Sequence, residues 1–264
     1  MSEMEPPVLV HREGPVVQVT LNRPARRNAI GGGMGEALDE LIAELRGDPA
    51  ARIVVLRGAG GHFCAGLDLT EMAQGSPEER LAAQLQRNRR IGARFQELSE
   101  LPQVVIAAVE GAAHAGGLGF VCCADIAFAS ADAKFSAPET RRGLVAAQIL
   151  PWIARRIGRS NATRMVLEAN VVDAATALGW GLVHEVAADR AALDALVAQS
   201  VSLILQGAPG ALAETKGLLA ALGPLAPESY AEMGAKAFAR TGSGPEAVEG
   251  IAAFKEKRKP SWAA

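Results

Sequence analysis

One pattern constrains this chain more than any other, and it occurs twice. A short aliphatic run, residues 53–56 and again Val104–Val109, leads directly into a stretch of very small residues. The first such stretch covers 58–66 and the second 111–119. Aliphatic runs this short, bounded by turn residues, predict strands buried on both faces. Turns without bulky side chains let the backbone come close to another backbone or to a ligand. Each turn is followed by a segment with helical spacing. The chain is therefore predicted to be α/β, with buried strands feeding tight turns and then helices.

The remaining segments agree with that class. Alternation over 8–21, interrupted at Glu13-Gly14-Pro15, predicts a hairpin. Residues 34–45 carry apolar side chains at helical intervals and are ended by Asp48-Pro49. The arginine-rich stretch 77–98 also has helical spacing, whereas 126–129 and Lys134–Ser136 read as strands. Ser160 is read as a helix N-cap, and the chain beyond it as mostly helical. This divides the chain into an α/β core over 1–200 and a helical C-terminal region over 201–264.

Composition excludes several classes. Of 264 residues, 49% are hydrophobic and the formal net charge is −2, which is incompatible with a disordered chain. Neither a basic excess nor aromatic platforms are present for nucleic acid, since only 4% of residues are aromatic. Cys64, Cys122 and Cys123 form neither a disulfide framework nor a zinc motif, and are expected to be buried thiols of a cytoplasmic protein. The N-terminal segment has no signal-peptide core, and the apolar runs are too short for a bilayer, so no membrane partner is expected. No Gly-Lys pair makes a P-loop, and Phe63 stands where a dinucleotide-binding turn needs its last glycine. His11, His62, His114 and His184 lack metal-ligand spacing, so neither metal nor cofactor is expected.

What remains is the two turns, 63–68 and 111–117, and one carboxylate, Glu139. Amides at a strand-to-helix junction point outward as fixed donors, and two such turns together can make an oxyanion hole from main chain alone. Taken singly, each turn describes equally well the close packing of a helix on a strand.

The segments that carry these features, taken together, resemble the crotonase family (enoyl-CoA hydratase/isomerase). The resemblance runs in order through Leu21-Asn22-Arg23-Pro24, Asn28-Ala29-Ile30, Phe63-Cys64-Ala65-Gly66-Leu67-Asp68-Leu69 and Gly116-Gly117. It continues through Ala124-Asp125-Ile126, Phe135-Ser136-Ala137-Pro138-Glu139, Arg156-Ile157-Gly158, residues 177–184 and the Phe254-to-Pro260 tail. The resemblance implies a right-handed spiral of ββα repeats, with C-terminal helices that make a homotrimer or a dimer of trimers. It implies an acyl-CoA thioester substrate, coenzyme A being part of the substrate. The amides of Leu67 and Gly116 would hold the thioester oxygen, next to Gly66, and the Ala65 carbonyl would accept from the adenine amine.

Hydratases that this chain resembles commonly use two glutamates. Glu139 matches the second, but Gly119 stands where the first would be, so one acid/base remains. The run Gly143-Leu144-Val145-Ala146-Ala147-Gln148, with Gly117-Leu118-Gly119-Phe120, is similar to a branch of branched glutaconyl-CoA hydratases. Hydration of a 2-enoyl-CoA is the leading expectation. Isomerisation of the double bond, a non-catalytic acyl-CoA-binding subunit, and hydrolysis of an acyl-CoA or β-diketone are the alternatives.

Other residues are assigned more modestly. His114 reads as a packed, hydrogen-bonded histidine rather than a replacement base. Asp68, grouped by the resemblance with the substrate-binding residues, is expected to cap the helix after Leu67, and Asp125 to serve packing. By resemblance, Arg26 and Arg27 would meet the CoA phosphates, as would Lys255 or Lys259 of a neighbouring subunit. Among Arg80, Arg87, Arg89, Arg90 and Arg94, one would pair with a carboxylate on the acyl chain, and the rest face water.

Overall fold

The computed structural model describes residues 5–71, 76–222 and 245–263. Strands β1 (Val8–Glu13) and β2 (Val16–Leu21) form an antiparallel hairpin in which Val8 pairs with Leu21. β2 then runs parallel to β3 (Ile53–Gly58), which pairs with β4 (Val104–Val109), and β4 with β6 (Ile126–Ser130). The short strand β9 (Glu185–Ala187) closes this six-stranded sheet, in the order β1-β2-β3-β4-β6-β9.

Both faces of the parallel strands are covered, which is why they read as unbroken aliphatic runs. Val54, Leu56, Val105, Ala107 and Val109 face the larger core, with α1 (Met34–Arg46), α2 (Pro77–Ser99), α3 (Gly116–Cys123) and α4 (Leu150–Glu168) supplying the opposing side chains. Ile53, Val55, Ile106, Ala108 and Phe128 face the other way, onto Leu193 and Val197 of α6 (Arg190–Ile204). Each fully buried aliphatic or aromatic side chain contributes on the order of 1.5–3 kcal/mol.

A second, smaller sheet positions the site. Strands β5 (Ala112–His114), β7 (Lys134–Ser136) and β8 (Val172–Asp173) pair in the order β5-β7-β8. The chain thus repeats one unit: a strand in the large sheet, a short strand in the small sheet, then a helix, as in β4-β5-α3 and β6-β7-α4. Among the described residues, the first turn joins the small sheet through a single bridge, Cys64 to Ala113.

Two expectations need correction. Ser160 is not an N-cap but lies inside α4, whose break falls two residues earlier at Gly158 (φ 73°, ψ 159°). Nor is the chain beyond it purely helical, since β8 and β9 both lie there, flanking α5 (Ala174–Gly179). Both strands are two or three residues long and are held by tertiary pairing rather than by their own propensity.

The C-terminal segments α7 (Pro209–Ala221) and α8 (Pro245–Glu256) are tied back to the core. The Arg52 guanidinium, just before β3, donates to the carbonyls of Leu205, Gly207 and Trp262. Lys216 of α7 reaches Asp125 at 2.7 Å, and Asp125 also accepts from the Val105 amide, the packing role expected of it. Among the described residues, no single helix is long and apolar enough to cross a membrane.

Candidate active site

The two small-residue turns lie against each other. Cys64 N–H donates to the Ala112 carbonyl (2.8 Å), and His114 N–H to the Cys64 carbonyl (2.9 Å). On its other side the first turn is pinned by Ile30, whose amide donates to Gly66 and whose carbonyl accepts from Asp68. Asn28 fixes the loop before it. The side chain is fully buried, receives the Arg23 amide, and donates to the carbonyls of Ala59 and His62.

The contact between the turns depends on glycine. Gly66 has φ +90°, and a Cβ there would lie 2.7 Å from the Ala115 Cβ and 3.4 Å from the Gly116 nitrogen. A Cβ at Gly117 would lie 2.2 Å from the Cys64 carbonyl oxygen. Ala115, immediately before α3, adopts φ 49°, ψ −118°, a conformation that costs an alanine on the order of 1–3 kcal/mol. That strained residue aims the first amide of α3. Neither the Leu67 nor the Gly116 amide has an acceptor among the described residues.

Both turns open into one cleft of about 890 Å³, lined by Arg27, Ala65, Leu67, Gly116 and Glu139 among others. Glu139 begins the 3-10 turn Glu139–Arg142 that follows β7. Its Oε2 is buried and has no hydrogen-bond partner among the described residues. Burial pushes the carboxyl pKa up from its ordinary value, opposed by a backbone hydrogen bond and by Arg142. Carboxyls raised in this way inside a cleft are candidates for proton exchange.

The structure also explains the missing second carboxylate. A Cβ at Gly119 would lie 2.6 Å from the Phe95 ring and 2.7 Å from the Ile149 Cγ2. Phe95 packs edge-on against Phe120, at 5.2 Å between ring centres, so this volume is filled by core side chains.

The other predicted residues divide between the cleft lining and positions outside it. Arg26 is exposed at the end of the 3-10 turn Pro24–Arg26, whereas Arg27 faces the cleft. Asp68 is buried and its carboxylate is engaged by Thr70 (2.6 Å) and Arg23 (3.1 Å), which hold its pKa below the usual range. It does receive the Thr70 amide, but what it heads is the three-residue turn Leu69–Glu71 rather than a helix. Of the α2 arginines, Arg90 and Arg94 both pair with Asp39 at 2.6 Å and are unavailable to a substrate. Arg87 lines the cleft and Arg89 is exposed. The side chains of Arg80 and Lys255 lie outside the described residues, and Lys259 is exposed.

Sequence reasoning missed that His114 faces the cleft. It is hydrogen-bonded, as expected, with Nδ1 2.7 Å from Ser136 Oγ, yet both residues line the cavity. A lone histidine between alanines carries no sequence signal for this. Cys64, Cys122 and Cys123 are buried and unpaired; burial pushes the Cys64 and Cys122 thiols up to about 12, so neither is a nucleophile. Among the described residues, no group of three metal-ligating side chains occurs.

Comparison with known proteins agrees with this geometry. Residues 11–264 match the family model described as enoyl-CoA hydratase/isomerase. Pseudomonas aeruginosa AtuE is 40% identical, covers 98% of this chain and 100% of its own, and superposes with a TM-score of 0.93. An enoyl-CoA hydratase/isomerase from Marinobacter aquaeolei is 38% identical, with 98% and 99% coverage and a TM-score of 0.91. The mevalonyl-coenzyme A hydratase of Beauveria bassiana is 32% identical over 258 residues, 94% of this chain and 91% of that one. The chain, an α/β fold whose two small-residue turns and Glu139 line one cleft, belongs to the enoyl-CoA hydratase/isomerase family.

Proposed function

We propose that the chain hydrates a 2-enoyl-CoA thioester with Glu139 as its one acid/base and the Leu67 and Gly116 amides holding the thioester oxygen. The observation that carries this reading is the shared cleft, which Leu67, Gly116 and Glu139 all line, with the two amides and the buried Glu139 Oε2 lacking hydrogen-bond partners among the described residues. Water gives a proton to the Glu139 carboxylate as its oxygen bonds to Cβ. The π electrons move toward the thioester oxygen, and the resulting enolate is stabilised by the two amides. Losing one such donor costs about 3 kcal/mol, roughly a hundredfold in rate. Glu139 then returns the proton to Cα. Coenzyme A enters as part of the substrate, with Ala65 toward the adenine and Arg27 toward the phosphates.

The acyl chain is proposed to carry a second carboxylate, as in a branched glutaconyl-CoA. Arg87, Arg141 and Arg142 line the cleft, and among the described residues none has a carboxylate within salt-bridge reach. Each guanidinium donates to a main-chain carbonyl instead, that of Glu71, Glu168 or Pro138. Elsewhere, Arg12, Arg23, Arg57, Arg90 and Arg94 all have acidic partners. Unpaired guanidiniums beside a single carboxyl suit an anionic ligand.

Assembly into a trimer or a dimer of trimers is assigned to the helical region after 200. There Leu203, Leu219 and Val248 are 62%, 58% and 66% exposed, as an interface in waiting would be. The buried reduced thiols fit a cytoplasmic enzyme.

Mass spectrometry of products from crotonyl-CoA, 3-methylglutaconyl-CoA and a 3-enoyl-CoA tests the reading. Gain of one water, lost in Glu139→Gln, is the expected result. A product of unchanged mass with a shifted double bond makes the enzyme an isomerase. Turnover of none of the three leaves only the binding or hydrolytic alternatives.

A further inference from the structure

α2 carries a glycine in its interior, at 92, where alanine would make the better helix. The space that a side chain would take there is filled from the opposite wall of the cleft. A Cβ at Gly92 would lie 2.3 Å from Gln148 Oε1, 3.1 Å from its Cδ and 3.7 Å from its Nε2. The Gln148 carboxamide is therefore seated on the helix with its oxygen inward. An amide oxygen suits that seat, because it accepts a weak C–H hydrogen bond from the glycine Cα, which an NH2 group cannot do.

The seat belongs to a polar row. Gln84, Asn88 and Gly92 follow at four-residue intervals, which puts them on one face of α2, and Gln84 and Asn88 line the cleft. Gln148 adds the next polar group to this row from the segment that follows Glu139. Around it the lining is apolar, with Ile91 on α2 and Ala146, Ala147 and Ile149 beside it in the chain.

Several polar groups of the lining are already engaged. Arg87 donates to the Glu71 carbonyl, Asn88 to the Gln84 carbonyl, and His114 shares a hydrogen bond with Ser136. Gln148 is half-buried, and its carboxamide makes no hydrogen bond to a described residue. A polar group set among apolar side chains costs free energy until a partner reaches it. With the oxygen against α2, the end turned away from the helix is the NH2 group, which only donates. Its partner is an oxygen acceptor, and the second carboxylate of the acyl chain supplies one.

We propose that Gln148 is a specificity-determining residue, whose carboxamide, seated on Gly92, donates to a carboxylate on the acyl chain. The cleft arginines draw the anion in by charge. Gln148, held between two walls, fixes where along the acyl chain that anion must stand. This assignment rests on the anionic-acyl reading and deepens it.

Binding of two unreactive thioesters tests it. Glutaryl-CoA and valeryl-CoA have acyl chains of equal length, differ in the terminal carboxylate, and hold no double bond to hydrate. Their Kd values from isothermal titration calorimetry therefore report binding alone. Wild type is expected to prefer glutaryl-CoA. Gln148→Leu, which keeps the bulk and removes the donor, is expected to cut that preference about tenfold, the worth of one hydrogen bond to a charged group. Gln148→Glu is expected to reverse it. Gly92→Ala drives the carboxamide off its seat, and is expected to reduce the preference as Gln148→Leu does. Each preference is a ratio within one variant, so a general loosening of the cleft cancels. A preference that survives in Gln148→Leu overturns the assignment. So does one that survives in Gly92→Ala alongside the rise in Tm that alanine brings to a helix. Equal Kd values for the two thioesters in wild type overturn the anionic-acyl reading itself.

Discussion

The two walls of the cleft are built differently. On one side, residues 64–68 and 112–116 are held by strand bridges, by ladder hydrogen bonds and by glycines at which any side chain would collide. On the other, Glu139 stands at the head of a segment that is largely exposed as far as Gln148, with Val145 at 77%. The segment's backbone hydrogen bonds are local, such as Leu144 N–H to the Glu139 carbonyl at 3.1 Å. Among the described residues, only the Thr140 and Arg141 side chains tie it by hydrogen bonds to the end of α4, at the Val166 and Glu168 carbonyls. The contrast fits the proposed chemistry. Stabilising a thioester oxygen demands donors fixed to a few tenths of an ångström. Accommodating an acyl chain demands only a surface, and a surface can be loosely held.

The sharpest way to test that division is to remove the single group on the exposed wall that the chemistry cannot spare. Glu139→Gln is expected to cut kcat about a thousandfold, measured by loss of enoyl absorbance. The same change is expected to raise Tm at neutral pH. A carboxyl whose pKa is raised in the fold stabilises it most when protonated, and this contribution is lost as pH rises through the folded value. Glutamine removes that cost, so the gain in Tm vanishes in acid. For the same reason, wild-type kcat falls on the acid side around a midpoint above the ordinary glutamate range.

A change on the rigid wall comes next in size. Gly66→Ala places a methyl group 2.7 Å from the Ala115 Cβ at φ +90°. It is expected to lower kcat about a hundredfold and to lower Tm by several degrees, since both turns must part. Gly119→Glu, which adds a carboxylate only on paper, overpacks Phe95 and Ile149. Thermal unfolding is expected to show a loss of about 1–3 kcal/mol, and kinetics no gain in rate.

The smallest effects belong to the exposed wall and to the α2 arginine that lines the cleft with it. Arg142→Ala or Arg87→Ala is expected to raise KM for a glutaconyl-type thioester about tenfold more than KM for crotonyl-CoA. Val145→Ser is expected to change stability by less than about 0.5 kcal/mol and to alter only chain-length preference. A hundredfold loss with Val145→Ser, or a silent Gly66→Ala, would reverse the assignment of roles to the two walls.

Where sequence and structure agree, local chemistry decides the conformation. Val104–Val109 and Lys134–Ser136 are strands over the residues expected, because aliphatic or alternating side chains are bounded by turn formers. The helix α1 starts at Met34 as its apolar spacing predicts. Where they differ, the deciding partner is distant in the chain. Ala112-Ala113-His114 has no strand character of its own and becomes β5 by pairing with β7 and Cys64. The residues proposed for the thioester and the proton were legible as a resemblance carried by small residues and one glutamate. What stayed hidden was pairwise: Arg90 and Arg94 bound to Asp39, Phe95 and Ile149 above Gly119, and His114 turned toward the cleft.

Because both proposed oxygen-binding donors are main-chain amides, the leucine side chain at 67 takes no part in that contact and is only half-buried against the core. Selection at this position therefore sees shape and not reactivity. Such a frame is open to retooling. The residue at 67, and the exposed wall opposite, are free to drift toward new acyl groups while the power to stabilise an enolate is inherited with the backbone.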